Sequence, residues 1–264
     1  MNIDQIPLDL TGSVIEGSVL YDFVENFPDS CAIQDAHTRK CLLTNYLNAS
    51  WYGLDAIDDL VGITPAEFWK QDVLERRNKL NISPTVLSNE ENNLKSTEML
   101  GSRVQLSKRA ASINLTALKF NGLIRCEKVI KYPVKNRDKK IVAFLTVFLE
   151  RTHQLPLQKL FRLYDEFYPR KEAIQKFLKH LNIDRYFDPC DPLTYTELKA
   201  LLYMYEDPRC KSVAKRLDCS VPTASNHISH IQQKCLNSRD IHNILAELRA
   251  IFVNAQSSIY AHGL

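Results

Sequence analysis

Apolar positions change their spacing along the chain, and each change marks an element or a boundary. Val19, Leu20, Phe23, Val24 and Phe27 repeat at helical spacing and predict an amphipathic helix that Pro28 stops. Residues 31–33 and 41–43 are short strand-like runs separated by the polar turn 35–39, which predicts a hairpin. Residues 45–69 predict short helices broken by Gly53, Gly62 and Pro65. Trp69 then leads into a charged helical stretch ending near Ser83-Pro84, with another helix after Ser88. Alternation returns at Ile113 and Leu115, and the parity shift at Leu118 and Phe120 predicts a bulge. Asn121-Gly122 predicts a type I′ hairpin turn, because both residues tolerate positive φ. Beyond it Ile124, Cys126, Ile130, Tyr132 and Val134 alternate with Arg125, Glu127, Lys131 and Pro133, the pattern of a strand with one wet face. After a turn at 136–138, residues 141–149 are apolar on both faces. That strand is expected to be covered on both sides, its outer face by a helix or another subunit.

From His153 the pattern is helical. Leu157, Leu160, Phe161, Tyr164 and Phe167 form one stripe; after Pro169, Ala173, Ile174, Phe177, Leu178 and Leu181 form another. Residues 182–192, with Pro189 and Pro192, predict a linker. Thr194-Tyr195-Thr196-Glu197 is a capping-box pattern opening a helix with Leu198, Leu201, Leu202 and Tyr205 on one face. A short second helix turns Cys210, Val213, Ala214 and Leu217 inward and Lys211, Lys215 and Arg216 outward. After a turn at 218–221, Pro222 suits the first turn of a third helix. That helix keeps Ala224, Ile228, Ile231 and Cys235 inside and Ser225, Asn226, Ser229, Gln232 and Gln233 outside. Ser238 starts a fourth helix, striped by Ile241, Ile244, Leu245, Leu248, Ile251 and Phe252.

At 264 residues and 30.4 kDa, with 45% hydrophobic and 25% charged positions, the chain fits two soluble globular domains. No apolar run approaches the roughly 20 residues of a membrane helix. The first residues carry Asp4 and Asp9 and lack a basic run before an apolar core, so a cytoplasmic location is expected. Net charge is +3, of which residues 153–186 supply all and the flanking segments none. Nucleic-acid binding would therefore need charge placed on one face, not bulk basicity. Seven cysteines, an odd number without a Cys-x-x-Cys pair, suit reduced thiols and argue against zinc. With seven glycines and no phosphate-cradling loop, metalloprotease motif or nucleophile elbow, no enzyme activity and no cofactor are expected.

Two resemblances organise these elements. Phe23-Val24-Glu25-Asn26-Phe27-Pro28-Asp29, then Asn45-Tyr46-Leu47-Asn48-Ala49-Ser50, Gly53 and Leu60-Val61-Gly62, then Pro133-Val134 and Leu149-Glu150-Arg151-Thr152, resemble in order and spacing the PAS family, with Glu150 where Asp is common. Leu193-Thr194, Glu197, Leu201, Val213-Ala214, Leu217, Ser220, Thr223, His227, Ile231, Lys234 and Ser238-Arg239 resemble the LuxR-type helix-turn-helix. The two imply an α+β chain: a PAS sensor domain with a five-stranded antiparallel sheet at 18–152, a helical connector at 153–189 and a four-helix LuxR-type domain at 190–256.

An amide- and hydroxyl-rich helix face is what major-groove reading requires, since Asn and Gln bond adenine bidentately and lysines meet phosphate. By patterning alone a four-helix interaction domain is an equal alternative. The LuxR resemblance implies that the third helix enters double-stranded DNA, with Thr223, Ser225, Asn226, His227, Ser229 and His230 at the contact positions. Lys211, Lys215 and Lys234 are the candidate phosphate contacts. Three features depart from the family pattern. Glu206-Asp207 replace a glycine, the glycine after the recognition helix is missing, and Ser225, Asn226 and Ser229 stand where Lys or Arg is frequent. The alternative function is a protein-binding PAS adaptor with a vestigial helix-turn-helix. His227 and His230 alone make a poor metal site, and Cys31, Cys41 and Cys126 read as small core residues. Trp51, Trp69, Phe120 and Phe144 are candidates for a PAS pocket holding a small ligand, with ordinary packing the commoner role; Phe148 belongs with them. A flavin-binding cysteine motif and a haem-binding histidine between Trp51 and Arg109 are both missing. A homodimer is expected, joined through strand 141–149 or the fourth helix.

Overall fold

A computed structural model describes residues 17–70, 82–237 and 240–261, with side chains from 19 up to 250. The chain forms two compact units, Met1–Arg151 and Thr152–Leu264. In the first, α1 (Gly17–Glu25) precedes β1 (Ser30–Asp35) and β2 (Cys41–Thr44). Then come α2 (Tyr46–Trp51), α3 (Pro65–Phe68), the long α4 (Pro84–Ser107) and strands β3 (Ala111–Leu118), β4 (Ile124–Lys135) and β5 (Ile141–Glu150). The strands make one antiparallel sheet of order β2-β1-β5-β4-β3, so the first and last strands are neighbours at its centre.

Asn45 and Asn48 show why the middle motif folds as it does. Asn45 caps α2, its Oδ1 accepting from the amides of Asn48 (3.1 Å) and Cys31 (3.3 Å) while its Nδ2 donates to the carbonyl of Asp29 (2.8 Å). Asn48, 5% exposed, accepts from Ser30 Oγ (2.9 Å) and donates to Thr44 Oγ1 (2.8 Å). Buried amides satisfied on both ends in this way fix the register of β1 and β2 against α2.

Both faces of β5 are covered. Cys31, Ile33, Leu43, Ala143 and Val147 pack with Val24 and Leu20 of α1, while Phe144 packs from the other side with Ala36 and Val104. The outer face of β5 is thus covered by a helix of the same chain, which itself leaves Val19 and Phe23 exposed. β4 departs from its pattern more sharply. Arg125, Glu127 and Lys131 are 5%, 5% and 4% exposed, whereas Tyr132 on the opposite face is 42% exposed, so the charged face of the strand is its buried one.

Local details also differ from expectation. β3 pairs continuously from Ala111↔Lys131 to Leu118↔Ile124, without a bulge; the irregularities lie at Ile33/Gln34 and Val134/Lys135. The Asn121-Gly122 turn has only Gly122 at positive φ (77°), with its amide bonded to the Lys119 carbonyl at 2.7 Å. This is a type I turn followed by a left-handed residue, not type I′. Ser83-Pro84 starts a helix instead of ending one: Ser83 Oγ accepts the Val86 amide (3.4 Å) and Pro84 occupies the first turn, where its missing N–H costs nothing. The charged stretch at 71–81 lies outside the described residues.

The second unit is helical: α5 (Leu157–Phe167), α6 (Arg170–His180), α7 (Tyr195–Glu206), α8 (Cys210–Leu217), α9 (Val221–Lys234) and α10 (Asp240–Ala261). α5 and α6 close on Phe161 and Phe177 (ring centroids 5.2 Å apart) and on Tyr164, whose hydroxyl lies 2.8 Å from His180 Nδ1. Ile241, Ile244, Leu245 and Leu248 of α10 are buried within the same unit, so this stretch of the stripe is core and not a free dimer face. The proline-bearing segment before α7 is not a loose linker. Phe187 bridges Cys235, the Leu236 amide donates to the Tyr186 carbonyl (2.9 Å) and the Asp188 amide to the Lys234 carbonyl (3.0 Å).

Candidate nucleic-acid interface

α7 begins with the capping box its sequence foretold. Thr194 Oγ1 accepts the Glu197 amide (3.3 Å), and Glu197 Oε2 accepts the Thr194 amide (2.7 Å). The same Glu197 oxygen receives Lys234 Nζ from the far end of α9 at 3.0 Å. Lys234 also donates to the Pro192 carbonyl (3.0 Å) and lies 3.1 Å from Asp191. Burial pushes the Glu197 carboxyl up, but the Thr194 amide, Lys234 and the Thr194 hydroxyl outweigh it and hold the group below the usual carboxylate range. The ammonium of Lys234 is therefore engaged inside the domain, which corrects its placement among the phosphate contacts.

Between α8 and α9 the chain turns at Asp218, left-handed at φ 54°, a conformation the short Asp side chain tolerates. Ser220 caps α9 by accepting the Thr223 amide (3.2 Å), and Pro222 sits in the first turn. Ala224 and Ile231 are fully buried against the other helices. Their position fixes what faces out: Thr223, Ser225, Asn226, Ser229 and His230 are exposed and His227 is half-buried. Asn226 points opposite Ala224 and Ile231 on a 3.6-residue period, and Gln233, two turns on and exposed, shares its stripe. Gln233 belongs among the candidate contacts on spacing alone.

Pairing inside the domain sorts the cations. Arg209 forks onto Asp207, with Nη2 at 2.6 Å, and holds that carboxyl well below the ordinary Asp range. Arg216 pairs with Glu206 and lies over the Tyr203 ring. The acidic Glu206-Asp207 pair, which replaces a glycine, thus neutralises two arginines. Lys211 and Lys215 on the exposed side of α8 have no ion pair among the described residues.

In the first unit a cavity of about 60 Å³ is lined by Ala32, Gln34, Cys41, Asn48, Tyr52, Leu60, Ile63, Thr64, Pro65, Phe68, Trp69 and Phe148. Trp69 forms part of its wall, in an edge-on cluster with Phe68 (5.0 Å) and Tyr52 (5.6 Å). The other three pocket candidates lie elsewhere. Trp51 carries the Arg125 guanidinium at 3.9 Å over its ring, Phe120 sits half-exposed in the β3–β4 turn, and Phe144 is sealed against Val104.

A sheet of order β2-β1-β5-β4-β3 interleaved with helices α2–α4 is the PAS arrangement, and helices α7–α10, with α7 and α9 capped by Thr194 and Ser220, form a helix-turn-helix. The chain thus joins a unit of PAS-like topology to a helical domain with a helix-turn-helix. Residues 191–243 match the GerE model, the luxR family of bacterial regulatory proteins. No curated protein matches the chain. Among solved structures, the phage VqmA–DPO complex is 16% identical, covers 88% of each chain and has a TM-score of 0.43. The Vibrio cholera VqmA–ligand–DNA complex is 12% identical over 88% of this chain and 86% of that one, with a TM-score of 0.38. The PAS domain of Bordetella pertussis BvgS is 15% identical over 56% of this chain and 94% of that one, with a TM-score of 0.40. Among the described residues, no helix is long and apolar enough to cross a membrane.

Proposed function

We propose that the chain is a DNA-binding transcription regulator in which a PAS sensor unit, near 18–152, controls a LuxR-type reading head, near 190–256, through the connector helices. The carrying observation is the outward face of α9, where Thr223, Ser225, Asn226, Ser229 and His230 stand exposed beside two lysines of α8 that have no ion pair among the described residues. In this reading the hydroxyls and amides take base edges, while Lys211 and Lys215 take phosphate. Residues 186–188, bonded to the end of α9, give the connector a mechanical hold on the recognition helix. Action as a homodimer on a two-fold site fits the class. The absence of Lys and Arg from the exposed part of α9 favours a second reading, a protein-binding head.

The test is duplex binding by the full chain against salt, on sites recovered by genome-wide mapping. Asn226→Ala is expected to cost about 1–3 kcal/mol on a specific site and little on random duplex. Lys211→Ala should weaken both and lower the salt slope by about 1. Equal losses on both duplexes for Asn226→Ala would assign it to phosphate. No salt-dependent binding at all would leave the protein-binding reading.

A further inference from the structure

The charged residues of β4 face into the sensor unit, and there Lys131 meets a second cation. Lys131 Nζ donates to Gln34 Oε1 (3.2 Å) and lies 5.5 Å from the centre of the Phe144 ring; the Arg39 guanidinium lies 4.8 Å from the same ring. A Cβ at Gly101 of α4 would stand 3.3 Å from Arg39 Nη1 and 3.6 Å from Lys131 Nζ. Both cations therefore converge on a spot that the helix leaves open by carrying glycine. Among the described residues no carboxylate forms an ion pair with either. Arg39 Nη1 and Thr146 Oγ1 are buried and have no hydrogen-bond partner there. Thr146 stands in register between Ala32 and Lys131, on the face these residues share.

Each of these features is unfavourable alone. Two like charges share one ring, Lys131 buried and Arg39 half-buried. A glycine interrupts a 24-residue helix, where alanine is the better helix former. Arg39 holds a left-handed backbone (φ 63°), and burial with Arg39 nearby brings the Lys131 ammonium down to about 8, the Glu98 carboxylate acting against them without forming an ion pair. Costs gathered at one point mark a built site more than a packing defect. Next to it lies the cavity of about 60 Å³, for which Gln34 is a shared wall and Ala32, Leu60, Ile63 and Phe148 are apolar lining.

We propose that Lys131, Arg39, Gln34 and Thr146 receive the carboxylate of a small organic acid whose apolar body occupies the adjacent cavity. The proposal rests on reading this unit as a ligand sensor. An anion supplies the charge the cation pair lacks, and its oxygens take the free guanidinium N–H and the Thr146 hydroxyl. A carboxylate fits better than phosphate because one side of the site is apolar and would strand further charged oxygens.

The test uses the full chain, titrated by calorimetry with acetate, propionate, propionamide and inorganic phosphate at fixed ionic strength. Propionate should bind saturably and propionamide should not compete. Lys131→Met should weaken propionate about tenfold or more. Gly101→Ala, which favours the helix while filling the cradle, should do the same, whereas Lys135→Met at the exposed end of β4 should change nothing. Unchanged propionate affinity in Lys131→Met and Gly101→Ala, binding of phosphate without carboxylates, or no binding at all would overturn the site. Duplex binding separates the two readings. A chain that binds DNA but no acid loses the site and keeps the reading head. An acid that binds as described yet leaves duplex affinity unchanged keeps the site and removes the sensor's control of output.

Discussion

Both units bury charge, and they treat it differently. At the corner of α7 and α9, Glu197 and Lys234 satisfy each other and the surrounding backbone, with Thr194, Pro192 and Asp191 completing the set. On the inner face of the sensor sheet, Arg125 bonds Glu127 through Nε at 2.8 Å while its Nη1 has no partner among the described residues; the same holds for Arg39 Nη1 and Thr146 Oγ1. A fully paired network costs little once formed and fixes one geometry, whereas an open buried donor costs about 1–3 kcal/mol each. The corner of α7 and α9 is closed on itself. The sensor interior is left able to gain from a guest.

The sharpest way to break this contrast is Glu197→Ala. It takes the mostly buried ammonium's best-buried partner, leaving Asp191 and the Pro192 carbonyl, and removes a capping box together, so the second unit should lose about 2–3 kcal/mol in denaturant unfolding. A loss under about 1 kcal/mol would mean that Lys234 finds water, and the corner would be no tighter than the sensor interior.

Mild acid should stabilise the first unit and leave the second unchanged. Glu90, 8% exposed, is raised to about 7 by burial, against which Arg125 acts; Glu127 is raised by the same cause. A carboxyl whose folded pKa lies above its unfolded value contributes stability that is complete below about pH 4.5 and disappears as pH rises through 7. The first unit should therefore gain on the order of 2 kcal/mol between pH 8 and pH 5. Glu90→Gln should flatten that slope. Lys131 works in the other sense, adding stability only as pH rises through about 8 toward 10.5. Glu197, held low, contributes stability above pH 4.5 that is lost only below it, so the second unit should show no gain over the same range. Thermal unfolding at several pH values, followed by Trp51 and Trp69 fluorescence for the first unit, checks the signs.

The sequence displayed the reading head well and the sensor interior poorly, for a physical reason. Helix caps are local: Thr194 with Glu197, and Ser220 with Thr223, are three apart and announce themselves. Burial of α9 follows from Ala224 and Ile231 in the same way. Partners distant in the chain are not announced, which is why Lys234 read as a phosphate contact while Glu197 was already waiting 37 residues away. β4 failed by inversion. Alternation gives two faces but not which one faces water, and Arg125, Glu127 and Lys131 took the buried side because α4 brings Glu90 and Gly101 over them. The aromatic pocket was likewise legible only at Trp69 and Phe148, since ring content does not tell a cavity wall from a stacking partner such as Trp51.

The smallest expected effect bears most directly on the unsatisfied side of the comparison. Thr146→Val replaces a buried hydroxyl that has no partner among the described residues with a methyl group of nearly the same shape. Where such a hydroxyl is satisfied, the change is destabilising, because the swap is isosteric but not isopolar. Where it is orphaned, valine removes an uncompensated desolvation cost and suits a central strand, so stability of the first unit should rise by about 0.5–1 kcal/mol. The same variant should bind propionate more weakly, since the hydroxyl is one of the groups assigned to the acid. Stability gained as affinity is lost is the expected behaviour of a residue retained for binding. A loss of stability with unchanged affinity would show that Thr146 has a structural partner and that the sensor interior is as fully paired as the corner of α7 and α9.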